Sequence, residues 1–234
     1  MPVSKETIYI CYMIDEKYLD LTKRSIDHIK RRFKSNDHKL QFYIVGIEEF
    51  DVDIPQTKFI TSPHKDMPIL WARVHLPEII GTSKMIFIDS DTIALTCISK
   101  LWDTSLEGNI IAAAQHCACD TFGDLVLNWR TLDFSPFNKH LSMKYFNCGV
   151  MVFDCEQWLS KGLAEKCLDA IHLYRHTKYR GYDEPGFNFV LRHDWKQLDQ
   201  RWNYLPLPGR PMKACHILHY YGEYPTGTPR HDMF

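Results

Sequence analysis

The segment at residues 84–95, KMIFIDSDTIAL, determines how the rest of this sequence is interpreted. Four apolar residues at 85–88 predict a buried strand, and Asp89, Ser90 and Asp91 follow it directly. Ligands of open α/β sheets bind just beyond the carboxyl ends of strands, so these acids lie where chemistry is expected. Two carboxylates at the edge of a core are costly unless a cation or hydrogen bonds compensate them. The segment therefore predicts a divalent-metal site, and the alternative is an acidic turn that caps a helix.

Short apolar runs elsewhere also predict strands, at residues 7–13, 41–45, 58–60, 110–114 and 149–153. Apolar residues at helical spacing predict helices at residues 21–33, from Pro68 to Gly81, and at 162–176. Strands that alternate with helices indicate an α/β fold with a largely parallel sheet. Proline and glycine gather only near the C-terminus, and the sequence contains neither a repeat nor a linker. We therefore expect one domain over residues 1–234.

The composition is that of an ordinary globular protein, with 45% hydrophobic residues and a formal net charge of −1. This charge gives no electrostatic reason to expect nucleic acid or an anionic membrane as the main partner. No stretch approaches the roughly 20 apolar residues that span a bilayer, and the N-terminus lacks a signal peptide's apolar core. The sequence therefore predicts a cytosolic protein with no integral membrane segment. The eight cysteines are expected to be reduced and mostly packed.

Six sequence blocks, taken in order, resemble glycosyltransferase family 8, the group of glycogenin and bacterial galactosyltransferases with a GT-A fold. The blocks are WARVHL at 71–76, IFIDSDTIAL at 86–95, YFNCGVMVFD at 145–154, DEPGFN at 183–188, RWNY at 201–204 and ILHYYG at 217–222. Each block is weak alone, and their shared order makes the resemblance specific. It implies a single GT-A-like domain, with a mainly parallel mixed sheet flanked by helices, that transfers a hexose from a nucleotide sugar.

The resemblance also implies which residues bind the metal and the donor. Asp89, Asp91 and His219 would bind Mn²⁺ or Mg²⁺, with oxygens of the donor diphosphate completing the coordination shell. The residues expected beside the uracil, the phosphates or the donor sugar are Asp15, Tyr18, Arg73, Lys84, Ser90, Asn147, Gly149 and Gly222. The donor would be a UDP-sugar, with UDP-glucose or UDP-galactose favoured. The acceptor, a glycan, a protein or a small molecule, would contact residues 115–144, and the oligomeric state is not predicted.

Asp183 and Glu184 are the catalytic candidates. The resemblance implies that Asp183 hydrogen-bonds hydroxyls of the donor sugar, and that transfer retains the anomeric configuration. Glu184 stands where the family has glutamine, and a carboxylate can act as a nucleophile or a general base, which an amide does poorly. A second departure is Pro225, which occupies the position of the family's phosphate-binding lysine. Either another cation serves the departing diphosphate, or the C-terminal segment folds differently.

Purely structural roles stay open for several of these residues. Tyr18 could be a half-buried aromatic at a helix start, Asn147 and Gly149 could form a turn, and His219 could be a core histidine. Two other functions are also compatible with the acidic pair. A sugar nucleotidyltransferase would usually have a glycine-rich phosphate loop after its first strand, and residues 10–18 contain no glycine. A catalytically inactive module that binds nucleotide sugars or glycans is favoured by Pro225 and disfavoured by the intact metal residues.

Overall fold

The computed structural model describes residues 5–117, 119–124, 140–174, 183–206 and 215–220. Its strands are β1 (Glu6–Met13), β2 (His38–Gly46), β3 (Thr57–Thr61), β4 (Lys84–Ile88), β5 (Thr92–Ala94), β6 (Ile111–Gln115), β7 (Phe146–Asp154), β8 (Trp195–Leu198) and β9 (Ile217–His219). Its helices with described bounds are α1 (Leu19–Arg32), α2 (Ile69–Ala72), α3 (Leu76–Ile80), α4 (Ser99–Trp102), α5 (Cys155–Ser160), α6 (Leu163–Tyr174) and α7 (Glu184–Val190). Turns of 3₁₀ helix occupy Glu16–Tyr18, Arg73–His75 and Gln200–Asn203.

Seven of the described strands form one sheet, in the order β3-β2-β1-β4-β7-β6-β8. Its neighbouring strands are parallel, except that β7 runs antiparallel to both β4 and β6. The short strands β5 and β9 pair separately and are antiparallel. The sheet is therefore mixed and mainly parallel, and the predicted α/β fold class is confirmed.

The two faces of the sheet carry separate hydrophobic clusters. Successive side chains of a strand point to opposite faces, so Met85 and Phe87 join one cluster while Ile86 and Ile88 join the other. The first face packs against α3, α5 and α6, and the second packs against α1 and α4. Burial on both faces explains why β4 is a continuous apolar run rather than an alternating one. The polar side chains next to this run, Lys84 and Asp89, therefore lie at its two ends.

The helix predicted from Pro68 to Gly81 is interrupted. It consists of α2, the 3₁₀ turn Arg73–His75, and α3, which has Pro77 in its first turn and ends at Gly81 with φ 66°. Pro77 has no backbone N–H to donate to the carbonyl of Arg73, and its ring crowds that carbonyl, which favours an interruption in the preceding turn. The predicted stop at Gly81 agrees with its left-handed conformation, which glycine adopts without strain.

The other predicted strands and helices are present, each with bounds displaced by a few residues. The helix predicted at 162–176 is described as α6, and its last two predicted residues lie outside the described ranges. Strands β5, β8 and β9 were not predicted from the sequence, and they have only three or four residues each. Elements of this length are too short for a periodic pattern to distinguish them from loops.

Two further predictions concern the membrane and the cysteines. Among the described helices, none is long and apolar enough to cross a bilayer. All eight cysteines lie in the described ranges, none of them forms a disulfide, and six are buried. Their packing is the one expected from the sequence.

Candidate active site

Asp89, Asp91 and His219 come together at the carboxyl end of β4. The two acids follow β4, and the pairing of β5 with β9 sets Thr92 opposite His219. Nε2 of His219 consequently lies 3.2 Å from Oδ1 of Asp91 and 3.6 Å from Oδ2 of Asp89. One potential ligand atom from each residue lies within 4.8 Å of the other two. We refer to these three residues as the Asp–Asp–His cluster.

Gly149 leaves the space that the imidazole occupies. A Cβ atom on Gly149 would lie 2.2 Å from Cε1 of His219 and 2.9 Å from Oδ2 of Asp89. The backbone N–H of Asp89 donates to the carbonyl of Gly149 at 2.8 Å, which keeps β7 against the acidic turn. Gly149 was expected to let the donor come close to the backbone. In the structure, the group that lies against Gly149 is the ring of His219.

A chain of hydrogen bonds fixes the tautomer of His219. The backbone N–H of Gly149 donates to Oδ1 of Asn147 at 2.9 Å, so this atom is the acceptor, and Nδ2 of Asn203 donates to it at 2.6 Å. The oxygen of Asn203 then faces Nδ1 of His219 at 2.8 Å. Since an amide oxygen can only accept, Nδ1 carries the proton and Nε2 is left to act as a ligand. Such an outer hydrogen bond is the usual support of a metal-binding histidine.

The chemistry of the cluster fits a divalent cation. The side chains of Asp91 and His219 are only 2% and 3% exposed. With Nδ1 donating to Asn203, Nε2 of His219 faces two carboxylates, an arrangement that requires a positive charge there, either a proton on Nε2 or a bound cation. Two carboxylates and an imidazole suit an ion such as Mn²⁺ or Mg²⁺ when phosphate oxygens or waters complete its shell.

Arg73 and Asp183 form a buried pair beside this cluster. Nε and Nη2 of Arg73 donate to the two carboxylate oxygens of Asp183 at 2.6 Å each, and Nη1 lies 3.3 Å from Oδ1 of Asp89. Burial raises the pKa of Asp183 to about 6, while the charge of Arg73 acts in the opposite direction. Burial alone would lower the pKa of Arg73, but Asp183 and Asp89 raise it above the ordinary value. We expected each side chain to contact the donor, and the structure pairs them with each other.

Glu184 opens α7 and is held by two donors. Its Oε2 accepts from Nδ2 of Asn147 at 3.0 Å and from the backbone N–H of Cys148 at 3.1 Å. Its Oε1 lies 4.0 Å from Nε2 of His116, and the side chain of Glu184 is 18% exposed. Asn147 thus connects the Glu184 carboxylate to the hydrogen bonds that orient His219.

Asp15, Tyr18 and Ser90 lie at the carboxyl ends of the neighbouring strands β1 and β4. Asp15 precedes the 3₁₀ turn Glu16–Tyr18, and the carbonyl of Tyr18 accepts from Oγ1 of Thr22 at 3.0 Å. The same Thr22 oxygen lies 2.8 Å from Oγ of Ser90. Thr22 therefore connects the turn that carries Tyr18 to the acidic turn, through its contact with the Ser90 hydroxyl.

One predicted residue, Lys84, is not brought to this edge, and another cannot be placed because it lies outside the described residues. Lys84 begins β4, whereas the cluster follows its end, and its ammonium group donates to the carbonyl of Trp102. This position corrects the expectation that Lys84 reaches the donor phosphates. Gly222 lies outside the described residues, as does Pro225. Residues 115–144, expected to contact the acceptor, are described only in part.

Asn203, His116 and Thr22 are residues that the sequence analysis did not assign to the site. Asn203 was quoted within the RWNY block, which is the one signal that could have identified it. His116 and Thr22 stand in no recognisable motif. Their places follow from tertiary contacts alone.

Comparisons with known proteins agree with this fold. A protein of Arabidopsis thaliana named probable galacturonosyltransferase-like 4 is 30% identical over 183 residues, which are 74% of this chain and 51% of that protein. Among solved structures, galactosyltransferase LgtC in complex with donor and acceptor sugar analogues superposes with a TM-score of 0.69 at 15% identity, covering 92% of this chain and 87% of LgtC. An LgtC active-site mutant in which glutamate replaces a glutamine gives a TM-score of 0.71 at 14% identity, with coverages of 96% and 92%.

These structural likenesses show a GT-A fold. The chain spans about half the length of the curated relatives it matches, 51% and 58% for the first two. The sequence also matches the family described as Glycosyl transferase family 8 over residues 4–224. Since that match covers nearly the whole sequence, this chain belongs to glycosyl transferase family 8.

Proposed function

We propose that this chain catalyses metal-dependent transfer of a hexose from a UDP-sugar to an acceptor. The observation that carries the proposal is the Asp–Asp–His cluster, whose imidazole is held by Asn203 in the tautomer that leaves Nε2 to coordinate. Glycosyltransfer from a nucleotide diphosphate builds negative charge on the departing diphosphate. A cation bound by the cluster would act as a Lewis acid and stabilise that charge.

The protein's own residues have separate parts in this proposal. Asp15 and Tyr18, at the end of β1, would bind the nucleotide. Arg73 would hold Asp89 and Asp183 in place through the contacts described above, which leaves its buried guanidinium as a support of the site. Asp183 and Glu184 would face the donor sugar. The glycosidic C1–O bond breaks with its electron pair leaving on UDP, and the acceptor oxygen bonds to C1 while its proton passes to a base.

Glu184 is the residue that we propose for chemistry at C1. Its Oε2 is fixed by two donors, while Oε1 is turned toward His116 at a distance of 4.0 Å. A carboxylate held in this way can attack C1 or accept the acceptor's proton. Retention of the anomeric configuration is the family expectation and stays part of the proposal.

The donor sugar is proposed from the relatives. The curated relative is named for galacturonosyl transfer, and the solved structure is named a galactosyltransferase. Both names concern galacto-configured sugars, one acidic and one neutral. We therefore add UDP-galacturonic acid to UDP-glucose and UDP-galactose as donors to test. A cytosolic location, expected from the sequence, also stays part of the proposal.

A screen of nucleotide sugars tests this function. The purified chain is incubated with each UDP-sugar and Mn²⁺, and the release of UDP is measured before and after exhaustive EDTA treatment. We expect release from at least one UDP-hexose or UDP-hexuronic acid, abolished by EDTA and by Asp91→Asn. Release that persists without metal would contradict the proposal. Tight binding of a UDP-sugar with no release, even with candidate acceptors, would identify an inactive binding module instead.

A further inference from the structure

A second group of metal-binding side chains lies apart from the Asp–Asp–His cluster. His64 lies in the loop after β3, His75 ends a 3₁₀ turn, and Glu78 lies in α3. One potential ligand atom from each lies within 4.8 Å of the other two. We call these residues the His–His–Glu cluster. The transfer reaction proposed above gives it no role.

His75 is a buried imidazole whose nitrogens lack hydrogen bonds. Its side chain is 4% exposed, and within the described part of the chain neither ring nitrogen has a hydrogen-bond partner. Oε2 of Glu78 lies 3.5 Å from Nδ1, too far for a hydrogen bond of ordinary length. Buried polar atoms in native proteins are almost always satisfied, so an exception calls for an explanation such as a bound ion.

The two histidine rings lie against each other. Their centroids are 3.6 Å apart and their planes make an angle of 12°. Stacking covers the ring faces and leaves the nitrogens at the edges available to a ligand. A neutral imidazole is the form that binds metals.

We propose that His64, His75 and Glu78 form a second metal site, for a transition-metal dication of the Zn²⁺ kind. Two imidazoles and one carboxylate are an established zinc donor set, and water completes the four-coordinate shell. An imidazole nitrogen donates in the plane of its ring, so the half-buried His64 ring must turn out of the stack when metal binds. The bound ion would join the loop after β3 to the turn that carries Arg73, which supports the active site.

The test separates this site from the active site. Co²⁺, a spectroscopic substitute for Zn²⁺, is titrated into the variant Asp89→Asn/Asp91→Asn, and into wild-type protein saturated with Mn²⁺ in case the variant does not fold. Visible absorption reports Co²⁺ coordination, and a thiolate charge-transfer band would reveal binding by cysteine. We expect one Co²⁺ per chain without a thiolate band, and displacement of Co²⁺ by Zn²⁺.

Single changes then identify the ligands. His64→Ala and Glu78→Gln should each weaken Co²⁺ binding by at least the roughly 10–100-fold that is typical of residues that only support a ligand. His28→Ala and Glu49→Gln, a half-buried histidine of α1 and an exposed acid, are matched controls that should leave the titration unchanged. His75 is not replaced, because its burial would confuse loss of a ligand with loss of packing. Absent Co²⁺ binding, binding that survives both ligand changes, or a thiolate band would overturn the proposal.

Discussion

Asp183 accepts two hydrogen bonds of 2.6 Å from Arg73, and both side chains are buried. They are 110 residues apart in the sequence, and the pair joins α7 to the turn between α2 and α3. The same guanidinium lies 3.3 Å from Asp89, a member of the Asp–Asp–His cluster. The geometry of the cluster therefore depends on a buried charge pair that itself requires both partners.

Replacement of Asp183 by asparagine should lower the free energy of unfolding by about 3 kcal/mol, the lower end of the cost of breaking a buried pair. Arg73 would stay buried with Asp89 as its remaining acidic partner. Urea denaturation at neutral pH measures the change. Asp199→Asn is the matched control, because it breaks an exposed pair with Arg201 and should change stability little. Equal losses of unfolding free energy in the two variants would contradict the assignment of Arg73 and Asp183 as a stabilising buried pair.

The pH dependence of stability should report on the carboxyl group of Asp183. Its pKa in the folded protein is raised to about 6 by burial, against the opposing charge of Arg73. The folded state then holds a proton that the unfolded chain has released, so the proton-linked part of the stability is gained at low pH and is lost as pH rises through about 6, while the contacts with Arg73 persist above that pH. The stability difference between wild type and Asp183→Asn should increase when pH is lowered from about 7 to about 5. A difference that shrinks over this interval would contradict the expectation.

The edge that carries Asp89 and Asp91 could be anticipated from the sequence because its signal is local. The apolar run of β4 passes directly into Asp89 and Asp91, and the end of a buried strand is the expected place for a ligand. His219 became a candidate only through the resemblance. Its place depends on the pairing of β5 with β9, two strands of three residues that have no pattern of their own.

The supporting contacts could not be anticipated, because they join residues far apart in the sequence. Asn147 and Asn203 are 56 residues apart and meet at 2.6 Å. The sequence suggested that Arg73 would face phosphates, since a cation beside a donor site is reasonable, but its buried partner is an acid on another helix. Lys84 was assigned to the donor through the family resemblance, although it begins the strand whose opposite end carries the two acids.

Gly149→Ala should prevent metal binding, because the new methyl group would overlap with the ring of His219 at 2.2 Å. Mn²⁺ affinity measured by electron paramagnetic resonance is expected to fall by at least about 10-fold. Gly162→Ala provides a control with a different effect. Gly162 has φ 59° and no atom within 4 Å of an added Cβ, so alanine there strains the backbone without touching the site. That control should lose stability and keep its Mn²⁺ affinity; the same loss of affinity in both variants would contradict the steric argument.

Asn203→Ala should weaken Mn²⁺ binding by roughly 10–100-fold, the usual effect of removing a residue that orients a metal ligand. Without the oxygen of Asn203, the hydrogen bond that fixes the tautomer of His219 is lost. The control is Asn109→Ala, since Asn109 donates only to the carbonyl of Leu106 away from the cluster. Mn²⁺ affinity is measured directly, so the readout does not depend on catalysis. Unchanged affinity in Asn203→Ala would show that the hydrogen bond has no part in coordination.

Glu184→Gln is the most discriminating change at the proposed reaction centre. The oxygen of glutamine can still accept from Asn147 and from the N–H of Cys148, so the local hydrogen bonds persist. The amide would point toward His116 in place of Oε1, and it can neither attack C1 nor remove a proton efficiently. The substitution therefore removes chemistry while it preserves shape.

We expect Glu184→Gln to lower kcat by roughly 100-fold or more, the usual scale of acid–base contributions, with little change in affinity for UDP or the donor. Turnover is measured as Mn²⁺-dependent release of UDP, and binding is measured by calorimetry with UDP. Glu156→Gln serves as the control, since Glu156 is an exposed acid in the first turn of α5 and should not affect turnover. If Glu184 only positions Asn147, then Gln should retain nearly full activity, because it keeps both hydrogen bonds. Wild-type kcat in this variant would therefore assign Glu184 to the support of the site and exclude it from the chemical step.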